Sequence, residues 1–247
     1  METGGNTILI TGGSTGIGLA MAERFVGLGN RVVICGRTQE KLDEARRKVP
    51  GLNAIRGDIS KEAGRRELVE RMGSDFGEVN MLVNNAGIQK RVDLRKGMED
   101  LLKGGDEIEI NLRSQIYLSA LFIPLLSGKR NAAIINVSSG LGFVPLAIFP
   151  VYSATKAAMH SFSMSMRHQL KGEGIRVFEL IPPTVHDTRL KGAPIGKTDY
   201  SLSAEEVVDA LMEGLRSDKY EITAGASGRL ASASGSEAER IFGEMNH

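Results

Sequence analysis

The stretch Thr11-Gly12-Gly13-Ser14-Thr15-Gly16-Ile17-Gly18 decides how this chain folds. It follows a short apolar run, Thr7–Thr11 (TILIT), and opens a segment of helical periodicity over residues 16–28. Glycines at a strand-to-helix turn have physical uses. Gly12 permits a tight turn, Gly16 lets backbone approach a phosphate, and Gly18 allows close packing of the helix. A pyrophosphate held by this turn, beside Ser14, Thr15 and Ile17, would rest on N–H groups at the start of a helix. Glycine-rich turns also arise for structural reasons alone. The place between the first strand and the first helix is what points to a dinucleotide.

Outward from this turn, the same alternation repeats. Residues 31–35 (RVVIC) are apolar, and residues 39–49 read as a helix that Pro50-Gly51 ends. Residues 53–57 are strand-like, 61–76 helical, 81–84 strand-like, and 106–126 helical with Pro124 near the end. An apolar β-type run at 132–137 precedes a long helix at 152–171, a strand at 175–181, a helix at Ala204–Arg216 and a last strand at 220–223. Strands alternating with helices predict an α/β, doubly wound Rossmann fold: a mostly parallel seven-stranded sheet with helices on both faces. Nearly continuous apolar strands agree, since both faces would be covered. Such sheets bind ligands beyond the carboxyl ends of their strands. With no repeat and no linker, residues 1–247 read as one dinucleotide-binding and catalytic domain. Residues 224–236, rich in Gly, Ala and Ser, read as a mobile loop, and residues 240–246 as a short terminal helix.

Composition excludes several classes. The 31 Lys and Arg nearly balance 30 Asp and Glu, so no basic excess argues for nucleic acid. A single cysteine, Cys35, rules out a disulfide within the chain and reads as a small buried hydrophobe. The four histidines do not pair with neighbouring carboxylates or thiols at ligand spacing, so no metal site is expected. The N-terminus carries no signal peptide, and the longest apolar stretch, residues 118–126, is shorter than the ~20 residues a bilayer needs. A cytoplasmic protein that does not engage membranes is expected.

Two positions carry readable chemistry. An acid at the end of the second strand would accept hydrogen bonds from an adenosine 2′-hydroxyl; this chain has Gly36-Arg37-Thr38 instead. Arg37 can pair with a 2′-phosphate, which favours NADP(H) and leaves NAD(H) open, although a solvated strand-end charge is the plain alternative. Tyr152 and Lys156 lie four residues apart, on one face of the predicted helix. Tyrosine, with a pKa near ~10, is a poor base at neutral pH, and an adjacent ammonium would lower that value. The pair also occurs by chance on helix surfaces.

The spacing T-G-x-x-x-G-x-G, together with Asn84-Asn85-Ala86-Gly87 after the fourth strand and Y-x-x-x-K, resembles the short-chain dehydrogenase/reductase family in its single-domain branch, over almost the whole chain. The resemblance implies an oxidoreductase that moves a hydride between NADP(H) or NAD(H) and a carbonyl or alcohol. It implies that Asp58 and Ile59 contact adenine and that Asn85, Ala86 and Gly87 line the cofactor. It places Ser139 beside the substrate oxygen, Tyr152 as acid/base, Lys156 on the nicotinamide ribose, and Asn111 on a water linking Lys156 to solvent. Beyond the sixth strand, Pro182, Val185 and Thr188 match the loop that contacts the carboxamide, with Pro183 where the family has glycine; Pro182-Pro183 also reads as a stiff exit from the strand. NADP-preferring relatives often carry a second basic residue where this chain has Ser14 or Thr15. Runs such as Gly87-Ile88-Gln89-Lys90 and Arg167-His168-Gln169-Leu170 resemble the subgroup found in D-alanyl-teichoic-acid operons.

The same resemblance implies a small-molecule substrate and a homodimer or homotetramer. The helix at 106–126 and the Tyr152 helix, with its small residues Ala154, Ala157, Ala158, Ser161 and Ser165, would meet across the interface. Packing within one chain is the alternative. Leu141, Phe143, Phe149, Val151 and Leu190 could line an apolar pocket or belong to the core. Lys90 and Arg91 could receive an anionic substrate but read first as solvated loop charges, and Ser138 reads as a turn or backbone hydrogen-bonding residue. A regulator that binds the cofactor without turnover is the competing class, and a retained acid/base argues against it.

Overall fold

Short apolar runs lie between the helices, and each has become a strand, with both faces covered in all but the two at the sheet edges. A computed structural model of the chain describes residues 1–186, 188 and 200–246. The strands are β1 (Thr7–Thr11), β2 (Arg31–Gly36), β3 (Asn53–Arg56), β4 (Val79–Asn84), β5 (Ala133–Val137), β6 (Arg176–Ile181) and β7 (Glu221–Thr223). They form one sheet in the order β3-β2-β1-β4-β5-β6-β7, and every pairing is parallel. The order reverses between β1 and β4, which opens a crevice at their carboxyl ends.

The helices are α1 (Gly16–Gly27), α2 (Gln39–Lys48), α3 (Glu62–Asp75), α4 (Met98–Leu101), α5 (Ser114–Leu126), α6 (Pro150–Gln169), α7 (Ala204–Arg216), α8 (Ser227–Ser232) and α9 (Gly235–Met245). Alternate residues of β1 feed two cores. Ile8 and Ile10 pack with Met21 and Phe25 of α1 and Leu211 of α7. Leu9 faces the other way, with Leu68 of α3, Phe122 of α5 and Met166 of α6. All of these side chains are fully buried or nearly so. Each contributes roughly 1.5–3 kcal/mol of hydrophobic stabilisation. No helix among the described residues is long and apolar enough to cross a membrane.

Three expectations change. The helix read at residues 106–126 is interrupted: Glu109–Arg113 forms a π-helical turn before α5. Single π turns of this kind are frequent at functional sites. The long helix begins at Pro150, two residues earlier than its apolar pattern suggests, because proline is suited to a first helical turn. Residues 224–236 are not one irregular loop. They contain α8 and lead into α9, and Ser227 is fully buried. Its hydroxyl accepts from Ala224 N at 3.0 Å and bonds to the β6 carbonyl of Ile181, a tertiary contact that composition does not reveal.

Candidate active site

The glycine turn joins β1 to α1 as its sequence implies. Gly12 has φ +64°, in the region that favours glycine, and its N–H donates to Cys35 O at 2.8 Å. Gly18 lets α1 close on the turn: a Cβ there would lie 2.5 Å from both Gly12 O and Asn85 Nδ2, so its bare backbone also makes room for that amide. Asn85 Nδ2 donates to Thr11 O at 2.9 Å and Gly12 O at 3.2 Å. Thr11 Oγ1 accepts from Asn85 N and Ala86 N at 3.0 and 3.1 Å. The β1 and β4 turns are therefore stitched together by Thr11, a residue that sequence reasoning missed.

The N-terminus of α1 is built for an anion. Thr15 occupies the cap position without a side-chain cap bond, and the first turn holds no acidic residue. Its N–H groups and dipole are left to whatever lies in front of them, which fits a pyrophosphate. Thr188 packs over this turn: its Cγ2 lies 3.1 Å from where a Gly16 Cβ would be, and its Oγ1 donates to Val185 O at 3.1 Å.

A cavity of about 720 Å³ runs from this turn along the carboxyl ends of the strands. That volume is in the range of ligand sites, ~300–1,000 Å³. Gly12, Ser14, Thr15, Gly16, Ile17, Gly18, Arg37, Asp58, Ile59, Asn85, Ala86, Gly87, Ser139, Tyr152, Lys156, Pro182, Val185 and Thr188 all line it. Lys41 lines it beside Arg37, a second cation that sequence reasoning missed because it lies one turn into α2. The far wall is supplied by Arg229 and Leu230 of α8, which the loop reading of residues 224–236 hid, and by Ile241, Glu244 and Met245 of α9, where a short terminal helix was expected from residue 240. Of the apolar candidates, Leu141 and Phe149 line the cavity, while Phe143 and Val151 do not. Phe143 instead packs on His160, ring centroids 4.6 Å apart. Leu190 lies outside the described residues.

The catalytic candidates are brought together with one exception. Ser139 and Tyr152 are both almost fully buried, and the Ser139 hydroxyl, which accepts from Leu141 N at 3.2 Å, stands close enough to act on the tyrosine. Lys156 Nζ donates to Val137 O at 2.7 Å and lies 5.6 Å from the Tyr152 ring centroid. The expected lowering of the tyrosine by its lysine is not found. Burial pushes Tyr152 up to about 12, opposed by the Ser139 hydroxyl and with a contribution from the Glu107 charge. Burial likewise brings Lys156 down to about 8, opposed by the charge of Glu179. Asn111 does not line the cavity. It sits in the π turn, where Oδ1 accepts from Ile88 N and Nδ2 donates to Ile88 O, both at 2.8 Å. Nδ2 also reaches Thr155 Oγ1 at 3.3 Å, so the amide clamps the exit of the β4 turn to α6.

Other assignments also shift. Lys90 is not simply solvated, since Nζ caps the carbonyls of Leu101 and Lys103 at 3.1 and 2.8 Å. Arg91 stands over the Phe149 ring at 5.9 Å. Cys35 is buried as expected, and burial pushes its thiol up to about 12. Ser138 turns its hydroxyl to the Glu179 carboxylate, and His160 Nδ1 lies 2.8 Å from the same carboxylate. Local spacing could not show a histidine–glutamate pair joining α6 to β6.

Comparison with known proteins agrees with this architecture. Residues 6–195 match the family model described as short chain dehydrogenase. The chain is 45% identical to DltE, named an uncharacterised oxidoreductase, of Bacillus subtilis (strain 168), covering 100% of this chain and 98% of that one. It is 30% identical to the NADP-dependent 3-hydroxy acid dehydrogenase YdfG of Escherichia coli (strain K12), over 83% of this chain and 86% of that one. A short chain dehydrogenase from Burkholderia cenocepacia J2315, solved in complex with NADP, superposes with a TM-score of 0.80 at 25% identity, covering 99% of each chain.

Proposed function

Because the chain belongs to the short-chain dehydrogenase family, we propose that it moves a hydride between NADP(H) and a carbonyl or alcohol, with Tyr152 as acid/base. One observation carries the reading. The buried hydroxyls of Ser139 and Tyr152 stand with Lys156 in the same cavity as an uncapped, acid-free helix N-terminus. A redox cofactor and a reacting oxygen can therefore meet there.

The bound nicotinamide supplies or accepts the hydride. With the dinucleotide bound, the α1 N-terminus would hold the pyrophosphate, Asp58 and Ile59 the adenine end, and Asn85 to Gly87 the middle of the cofactor, with Pro182, Val185 and Thr188 on the nicotinamide side. Lys156 spends one N–H on Val137 O and keeps two for the ribose hydroxyls. Tyr152 arrives protonated, because burial holds its hydroxyl neutral well above neutral pH. It donates that proton to the substrate oxygen during reduction, while Ser139 steadies the oxygen by a hydrogen bond. In the reverse direction, the positive charge of an oxidised nicotinamide would offset the burial that disfavours phenolate. Asn111 acts by fixing Ile88 and Thr155 around the site.

Arg37 and Lys41 favour NADP(H), and neither has an acidic partner in an ion pair among the described residues. The substrate side is mainly apolar, with Ile88, Leu141, Leu146 and Leu230, and an Arg229–Glu244 ion pair at 3.4 Å stands among its walls. This suits a carbonyl compound with apolar substituents. Since the walls run from Thr11 to Met245, residues 1–247 act as one dinucleotide-binding and catalytic unit. The test is a panel of ketones, sugars and hydroxy acids with NADPH, read by nicotinamide absorbance. Oxidation of NADPH by an apolar ketone is expected. Tight NADPH binding with no turnover across the panel would favour the regulator reading.

A further inference from the structure

Beneath the site, Glu179 of β6, the strand next to the β7 edge, is fully buried. A carboxylate there is costly unless both oxygens are satisfied. Both are. Oε1 accepts from Ser138 Oγ, and Oε2 faces His160 Nδ1 at 2.8 Å. Each partner is one step from the reacting groups. Ser138 is the neighbour of Ser139, and consecutive residues point in opposite directions, one to Glu179 and the other to Tyr152. His160 completes the series Tyr152–Lys156–His160, one helical turn apart on α6. Lys156 closes the loop by binding Val137 O, the carbonyl just before Ser138.

We propose that Glu179, held by Ser138 and His160, is a positioning residue that fixes the Val137–Ser138–Ser139 segment on which the Lys156 ammonium rests. The proposal rests on the function proposed above. The surrounding charges leave Glu179 in this role. On α6 it faces His160 and the field of Lys156; on β7, Glu221 approaches within 4.8 Å of the pair and is neutralised by Arg167 of α6 at 3.1 Å. Glu107, across the site, bears on Tyr152 instead. The same three residues, His160, Glu179 and Glu221, have the spacing of a cation site. The hydrogen bonds of Ser138 and His160 and the guanidinium of Arg167 already serve their oxygens, so the cluster needs no ion.

The test titrates the Lys156 side chain by its 13Cε resonance, assigned by its loss in Lys156→Met. It needs no substrate. Burial alone opposes the lysine charge, so Glu179→Gln is expected to lower its titration midpoint by about half a unit or more. Glu179→Asp keeps the charge and should stay within a few tenths of a unit, about that of the parent. A folded Glu179→Gln with an unmoved midpoint overturns the proposal. Should Glu179→Gln fail to fold, the partly buried His160 gives the same answer. His160→Leu removes the donor that sustains the carboxylate and should shift Lys156 downward, while His160→Gln restores it. Equal midpoints in both overturn the proposal. For ketone reduction, the alkaline fall in kcat/KM should move to lower pH in step with Lys156. A lysine that shifts without moving that limb leaves Glu179 in place and counts against the proposed catalytic role of Lys156.

Discussion

Arg37 is the residue on which the choice of dinucleotide turns. It is exposed at the end of β2, beside Lys41 from the next turn of the chain. A 2′-phosphate there gains charge-assisted hydrogen bonds that a 2′-hydroxyl cannot provide. Titration should show tighter binding of NADPH than of NADH, and Arg37→Ala should narrow the gap about tenfold. Equal affinities in the parent protein would refute the preference. Arg37 was legible because it stands at a fixed distance from the glycine turn. Lys41 was not, since its nearness to Arg37 appears only when α2 is wound. Tyr152 shows the opposite limit. Its place was legible from Tyr152–Lys156 spacing, but the raised pKa depends on burial, which no spacing reports.

At the scale of elements, α5 and α6 present an unusual outer face. Tyr117 and Met164 are half exposed, and Ala154, Ala157, Ser161 and Ser165 are exposed between them. Small side chains let helices approach closely, so we assign this face to contact with a second copy of the chain. Sedimentation should give a dimer or tetramer, and Ala157→Arg should drive it toward monomer. A parent protein that sediments only as monomer would remove the assignment. Elements with strong periodicity were legible to within two residues, among them β1, α3 and α7. The π turn was not, because Asn111 takes its conformation from bonds to Ile88 and Thr155, more than twenty residues away in either direction. Nor was α8, whose Gly228 and two serines weaken its helical preference and which Ser227 holds against β6.

For the whole molecule, the sheet order makes chemistry possible by ending β1, β4, β5 and β6 at one crevice. The glycine turn arrives from β1, the Asn85 amide from β4, Ser139 from β5 and the closing loop from β6. The parallel, doubly wound plan was legible because nearly every strand is apolar throughout. The wall made by α8 and α9 was not, and that wall bears most directly on which carbonyl compound enters. Tyr152 is the point at which these elements meet, so its hydroxyl is the most direct test. With the best ketone of the panel, Tyr152→Phe should lower kcat by about 10²–10⁴-fold while leaving NADPH affinity nearly unchanged. Turnover at the parent rate in that variant would contradict the assignment of Tyr152 as the acid/base.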